Sequence, residues 1–194
     1  MSNLHDVMEH NRKFVDDKDY EQYLTTGFPD KKMVIVTCMD TRLTEMLPKA
    51  LNLRNGDAKI IKNAGAIITQ PFGNIMRSVL IALYELKAEE VFIIGHHQCG
   101  MTGINPETVV GHMTERGISE GTIKTLKNSG LNLMNWLVGF DNVRSSVENS
   151  VHIVRNHPLL PPNTPVHGLI IHPNTGELDL VTDGYEALRE LQKQ

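Results

Sequence analysis

The sequence predicts an α/β fold of three layers: a mainly parallel central sheet between helices, an added C-terminal strand or hairpin, and an N-terminal helical arm. Three observations predict it. The apolar runs Met33–Val36 and Val91–Ile94 read as buried strands, the first without alternation as expected of a strand covered on both faces, and Ala58–Lys62 reads as another buried strand between them. A clear helical stripe, Ile75, Met76, Val79, Leu80, Leu83 and Leu86, separates Ala58–Lys62 from Val91–Ile94. The resulting succession of strand, helix, strand, helix and strand calls for crossover connections, which place parallel strands in one sheet. The expected strand order is 2-1-3-4.

Taken in order, residues 1–30 read as the arm. Leu4, Val7, Met8, Phe14 and Val15 recur at loose helical spacing, and Tyr20, Tyr23 and Leu24 extend the apolar surface. So short an arm has little to bury against itself, so it should lie on the main domain or on another subunit. The turn Gly27-Phe28-Pro29-Asp30 leads into a single α/β domain, 31–194. Strand one covers about Met33 to Thr37. A helix around Thr44 to Leu51 follows, weakened by Pro48, and Asn55-Gly56-Asp57 ends it. Strand two leads into Asn63-Ala64-Gly65-Ala66, and strand three runs from Val91 to Gly95. Met101 to Phe140 is mostly helical, with Asn105 and Ser119 as caps, Pro106 at a first helical position and Gly117 as a stop. Asp141 should open a longer helix along Val143, Val147, Val151 and Val154. After the Pro-rich link 161–165, Val166–Ile171 and Leu178–Val181 read as a closing hairpin, with a short helix over Tyr185–Leu191.

Composition narrows the function. With 194 residues, 40% apolar and 22% charged, the chain can bury one sizeable core. A net charge of −4 gives no footing for nucleic acid as a partner. No apolar run approaches the roughly 20 residues of a membrane span. Asp6, Glu9, Arg12 and Lys13 stand where a secretion signal would need an apolar stretch, so a cytoplasmic protein is expected. Two cysteines in such a chain point to metal or catalytic chemistry rather than to a disulfide scaffold.

Those cysteines, Cys38 and Cys99, each lie just beyond a buried strand. In an open parallel sheet, ligands sit beyond the carboxyl ends of the strands, where the strand order reverses. If strands one and three are neighbours, Cys38 and the turn His96-His97-Gln98-Cys99 face one crevice. Two thiolates and one imidazole suit zinc and leave its fourth position open, the arrangement of a catalytic site. Asp40 and Arg42 follow Cys38 closely enough to share that crevice, and a guanidinium can grip a carboxylate with two hydrogen bonds and lower its pKa. An ionised Asp beside a zinc-bound hydroxide would accept its hydrogen bond and turn its lone pair toward a substrate. The chemistry implied is attack on an electrophilic carbon.

The pair Cys38-Met39-Asp40-Thr41-Arg42 and His96-His97-Gln98-Cys99-Gly100 resembles the C-x-D-x-R and H-x-x-C-G signature of the β-class carbonic anhydrases. Lys62-Asn63-Ala64-Gly65 is similar to that family's R-N-A-G segment, with Lys in place of Arg. The likeness is closest over residues 31–100. It implies Cys38, His96 and Cys99 as zinc ligands, and Asp40 with Arg42 as a catalytic dyad. It also implies that Asp40 can become a fourth ligand in an inactive form. Ala64, Gly65 and Gly100 are expected at the substrate pocket. The implied reaction is reversible hydration of carbon dioxide to bicarbonate and a proton. The implied assembly is a homodimer or larger, with N-terminal helices lying across a partner.

Other readings compete. Similar folds can host hydrolysis of carbon disulfide or carbonyl sulfide. A Cys38–Cys99 redox switch would leave His96, Asp40 and Arg42 without a task, and a zinc-binding protein without turnover would keep the ligands alone. Imidazoles are suited to proton transfer in general, which makes His97 a candidate shuttle, but an orienting or core role is expected at least as much. His112 should pack beside Val109 and Met113. Gly65 should serve a close backbone approach, either to substrate or to a neighbouring strand.

Overall fold

The computed structural model describes residues 2–191 and 193. Its strands are β1 (Met33–Cys38), β2 (Ala58–Asn63), β3 (Glu90–His96), β4 (Val166–Ile171) and β5 (Leu178–Thr182). Its α-helices are α1 (Asn3–Asp16), α2 (Leu43–Ala50), α3 (Asn74–Tyr84), α4 (Pro106–Glu115), α5 (Glu120–Asn128), α6 (Leu133–Leu137), α7 (Val143–Arg155) and α8 (Gly184–Leu191). The strands form one sheet in the order β2-β1-β3-β4-β5. Neighbours are parallel except the closing β4–β5 hairpin, which is antiparallel. The expected order is therefore found, extended by the hairpin strand.

β1 and β3 lack alternation because helices cover both faces, whereas β2, expected as a second buried strand, is the edge strand of the sheet and leaves Ile60 exposed. On one face Val34, Val36, Val91 and Ile93 pack with Met76 and Val79 of α3 and with Val147, Val151 and Val154 of α7. Two glycines let α7 lie close. A Cβ on Gly95 would come within 2.8 Å of the Val147 side chain, and one on Gly168 within 2.9 Å of it. On the other face Ile35, Ile94 and Ile171 pack with Leu43 and Leu47 of α2 and with Met101 and Phe140. Pro48 lies inside α2 without ending it. Leu43 and Leu47 are fully buried, and that packing holds the helix despite the hydrogen bond that proline cannot make.

The caps follow the sequence with one correction. Asn105 Oδ1 accepts the Glu107 N–H at 2.7 Å, and Ser119 Oγ accepts the Thr122 N–H at 3.1 Å. The cap of α7 is Asn142, not Asp141: its Oδ1 accepts the Ser145 N–H at 3.1 Å. His112 is exposed rather than packed, because α4 turns Val109, Val110 and Met113 inward only part of the way and leaves the polar side chain in water.

The arm is a shorter helix than its apolar spacing implied. It ends at Asp16, and Lys18 (φ 58°) turns the chain into a 3₁₀ segment, Asp19–Tyr23. Phe14 and Tyr23 stack at 6.2 Å. Beyond it the chain is tied to the β2 edge, where Asn55 donates to the Tyr23 carbonyl at 2.6 Å and Lys59 to that of Gly27 at 2.7 Å. Yet α1 buries none of its residues, and Leu4, Val7, Met8 and Val15 are half or more exposed. No helix among the described residues is long and apolar enough to cross a membrane.

Candidate metal centre

β1 and β3 lie side by side, so their carboxyl ends open into the same crevice. Cys38 is the last residue of β1 and His96 the last of β3, and Cys99 sits in the tight turn that follows. All three are buried. The two Sγ atoms are 3.8 Å apart. With His96 they form the one group of three or more His, Cys, Asp or Glu residues among the described residues whose donor atoms are all within 4.8 Å of one another.

The imidazole is aimed by its second nitrogen. His96 Nδ1 lies 2.8 Å from the His97 carbonyl and donates to it, so Nε2 is the unprotonated nitrogen in the neutral ring. That Nε2 is buried with no hydrogen-bond partner. A buried polar atom without a partner is costly, and here it faces two thiols, which is what a metal ion would satisfy. The residues present therefore fit a zinc ion: two sulfurs, one nitrogen and no fourth Cys or His.

Local electrostatics fits the same reading. Burial pushes the Cys38 thiol up, but the His96 imidazole and the N–H groups of Asp40 and Gly65 outweigh it and bring Cys38 down to about 7. Burial likewise pushes His96 down, and its contacts with Cys38 and the His97 carbonyl turn the net shift upward. Cys99 is pushed up to about 11, by burial first and by the nearby Cys38. One thiol is thus readily ionised, and the second would need a cation to become so.

At the rim, Arg42 holds Asp40 on two sides. Nε donates to Oδ1 at 3.0 Å, Nη2 to Oδ2 at 2.8 Å, and the Arg42 backbone N–H adds a third bond to Oδ1 at 2.9 Å. The guanidinium holds the Asp40 carboxyl down at about 2. Asp40 Oδ2 lies 3.7 Å from His96 Nε2, so the carboxylate borders the space between the three donors.

Of the expected pocket residues, Gly65 has a definite task. Its φ is +79°, and an added Cβ would come within 2.9 Å of Ile67 and 3.0 Å of Met101. The close approach is thus to these side chains, and it points the Gly65 N–H at Cys38 Sγ, 3.4 Å away. Ala64 is half-buried beside it. Gly100 is exposed in open space and has no packing need for glycine. His97 is neither free nor core: its Nε2 pairs with Asp179 of β5 at 2.8 Å. Gln98, which sequence reasoning passed over, has a φ of +56° and faces Arg42. No short-range signal marks that partnership, because the two residues meet only through the β1–β3 pairing.

The sheet order, the buried Cys-His-Cys cluster and the adjoining Asp-Arg pair define an α/β protein with a crevice able to hold a metal ion at the switch point of its sheet. The carbonic anhydrase family profile matches residues 33–178. "Putative carbonic anhydrase YvdA" of Bacillus subtilis (strain 168) is 58% identical over 96% of this chain and 94% of its own length. A carbon disulfide hydrolase of Acidithiobacillus thiooxidans is 31% identical over 78% of each chain. Among solved structures, beta-carbonic anhydrase isoform I of Trichomonas vaginalis superposes with a TM-score of 0.84 at 35% identity, over 95% of this chain and 100% of that one. The chain belongs to the β-carbonic anhydrase family of enzymes.

Proposed function

We propose that this protein catalyses the reversible hydration of carbon dioxide to bicarbonate and a proton, with Zn2+ held by Cys38, His96 and Cys99. The observation that carries the proposal is the buried, partnerless His96 Nε2 facing two thiols 3.8 Å apart, with an ionised carboxylate at the rim. When bound, zinc supplies the Lewis acidity that makes water a nucleophile near neutral pH. The chain supplies the rest. Cys38 and Cys99 hold the cation as thiolates, and the His96 Nδ1–H bond to the His97 carbonyl keeps Nε2 aimed. Arg42 occupies both oxygens of Asp40 and keeps it charged, so Asp40 acts as a fixed hydrogen-bond acceptor that orients a donor in the crevice. Released from Arg42, the same carboxylate is near enough to serve as a fourth donor and close the site.

The name of the Acidithiobacillus relative favours one second reading, hydrolysis of carbon disulfide. Purified protein carrying about one zinc per chain is expected to hydrate carbon dioxide in a stopped-flow assay and to release little or no sulfide from carbon disulfide. Sulfide release with no hydration would replace the first reading by the second. A need for two reduced thiols fits action in the cytoplasm.

The proposal includes a homodimer or larger assembly in which residues 1–30 form an arm across the partner and 31–194 the catalytic domain. The support is α1: a helix of 14 residues that buries nothing on its own chain is marginal in water by itself. Light scattering at micromolar concentration should report at least a dimer, and deletion of residues 1–24 should shift it toward monomer and lower its melting temperature. A monomeric intact chain, or a truncated one with unchanged assembly and stability, would contradict this.

A further inference from the structure

The position of Arg42 is not explained by Asp40 alone. Its guanidinium has a second set of contacts on the metal-ligand turn: Nη2 donates to the Gln98 backbone carbonyl at 3.2 Å, and Nη1 faces the Gln98 side-chain Oε1 at 3.4 Å. Gln98 stands between His97 and Cys99 with a φ of +56°, a left-handed conformation that a residue with a side chain rarely adopts. Such strain persists where the surroundings over-determine it. Here His97 is tied to Asp179 on one side, and Cys99 lies buried on the other. The left-handed turn directs the Gln98 carbonyl at Arg42, and its amide reaches the same group.

We infer that Gln98 is a positioning residue, which clamps the Arg42 guanidinium from the turn carrying His96 and Cys99 and so holds it in line with Asp40. This rests on the dyad reading above. Arg42 is thereby gripped from both sides, by a carboxylate beyond β1 and by two oxygens beyond β3. Without the second grip the long, partly exposed side chain is free to swing with Asp40 or to leave it, because a partly exposed ion pair is held only weakly. The register between the dyad and the cluster then depends on residue 98. Nothing in the H-x-x-C spacing reserves that position for an amide; its use follows from the fold.

Gln98→Met keeps the length and lack of branching and removes the acceptor. The backbone carbonyl contact remains and the lost one is long and exposed, so the expected loss in kcat/KM for carbon dioxide is modest, about three- to tenfold, the net worth of one ordinary hydrogen bond rather than a charge-assisted one. Zinc content and melting temperature should match the wild type. A folding defect would add to any other change, whereas a clamp acts through Arg42 alone. In an Arg42→Ala background, Gln98→Met is therefore expected to lower kcat/KM no further than about twofold. A second readout needs no turnover. The Arg42 Nε–H resonance, identified by its absence in Arg42→Lys, should exchange with solvent faster in Gln98→Met than in wild type.

Unchanged kcat/KM in Gln98→Met, or an equal loss in both backgrounds, would overturn the inference, as would an unchanged Nε–H exchange rate. If Arg42→Ala itself left kcat/KM intact with full zinc, the dyad reading would fall instead. The exchange rate would still decide whether Gln98 holds the guanidinium.

Discussion

Cys38→Ser and His96→Ala are expected to purify with almost no zinc and to lose carbon dioxide hydration with it. Outer residues around a metal are typically worth ten- to a hundredfold in affinity, so loss of one donor of three should exceed about a hundredfold. Serine is the sharper variant. Its oxygen can still accept the Gly65 N–H that now points at Cys38 Sγ, so the turn after β2 keeps its partner. His96→Ala also opens a cavity in a fully packed region, since His96 is only 1% exposed. His96→Asn fills part of that volume and separates ligand loss from cavity. Elemental analysis of protein grown without added metal, with a thermal melt for each variant, checks the expectation. Full occupancy in folded Cys38→Ser would sink the ligand assignment.

Arg42→Ala and Asp40→Asn should behave differently: both keep zinc and lose turnover, by about an order of magnitude or more. Neither residue belongs to the buried cluster, so metal content is expected to hold. In Arg42→Ala the freed carboxylate should favour the fourth-donor position, whereas Asp40→Asn removes the charge that would go there. The pH behaviour follows from the pair. With Asp40 held near 2, its protonation is not the cause of any activity lost between pH 8 and pH 5. The expected acid fall in hydration arises because neutral water, unlike hydroxide, would compete poorly with the ionised carboxylate for the fourth position of a bound zinc, so it should steepen in Arg42→Ala and flatten in Asp40→Asn. The same pair bears on stability. A carboxyl lowered from 3.8 to about 2 stabilises the fold fully above its ordinary value, and that contribution is lost as pH falls through 2. The melting-temperature gap between wild type and Arg42→Ala should therefore narrow between pH 4 and pH 2. Wild-type turnover in both variants with full zinc would make the dyad merely structural.

Much of this architecture is legible in the chain because its signals are local. Consecutive apolar residues such as Val34-Ile35-Val36 announce a strand covered on both faces, and the stripe through Met76 and Val79 announces the helix that covers it. The cluster is legible one step further on. Two cysteines just past buried strands meet if those strands are neighbours, and the parallel β1–β3 pairing brings them to 3.8 Å. What escapes sequence reasoning depends on approach in three dimensions. The Gly65 N–H on Cys38, the Asp179 partner of His97 and the grip of Gln98 on Arg42 join segments at least 27 residues apart. No periodicity or spacing encodes them. Asn142 in place of Asp141 as the cap of α7 is an error of another kind, since both side chains suit a cap and only the backbone geometry chooses.

The proposed metal centre holds zinc by two sulfurs and one nitrogen and leaves a fourth position free for chemistry. X-ray absorption at the zinc edge of the purified protein near neutral pH tests this most directly. The predicted result is two zinc–sulfur distances of about 2.3 Å and two lighter neighbours at about 2.0–2.1 Å, one of them the imidazole. Metal-free protein with Cys38 and Cys99 joined in a disulfide, or zinc without sulfur neighbours, would contradict it.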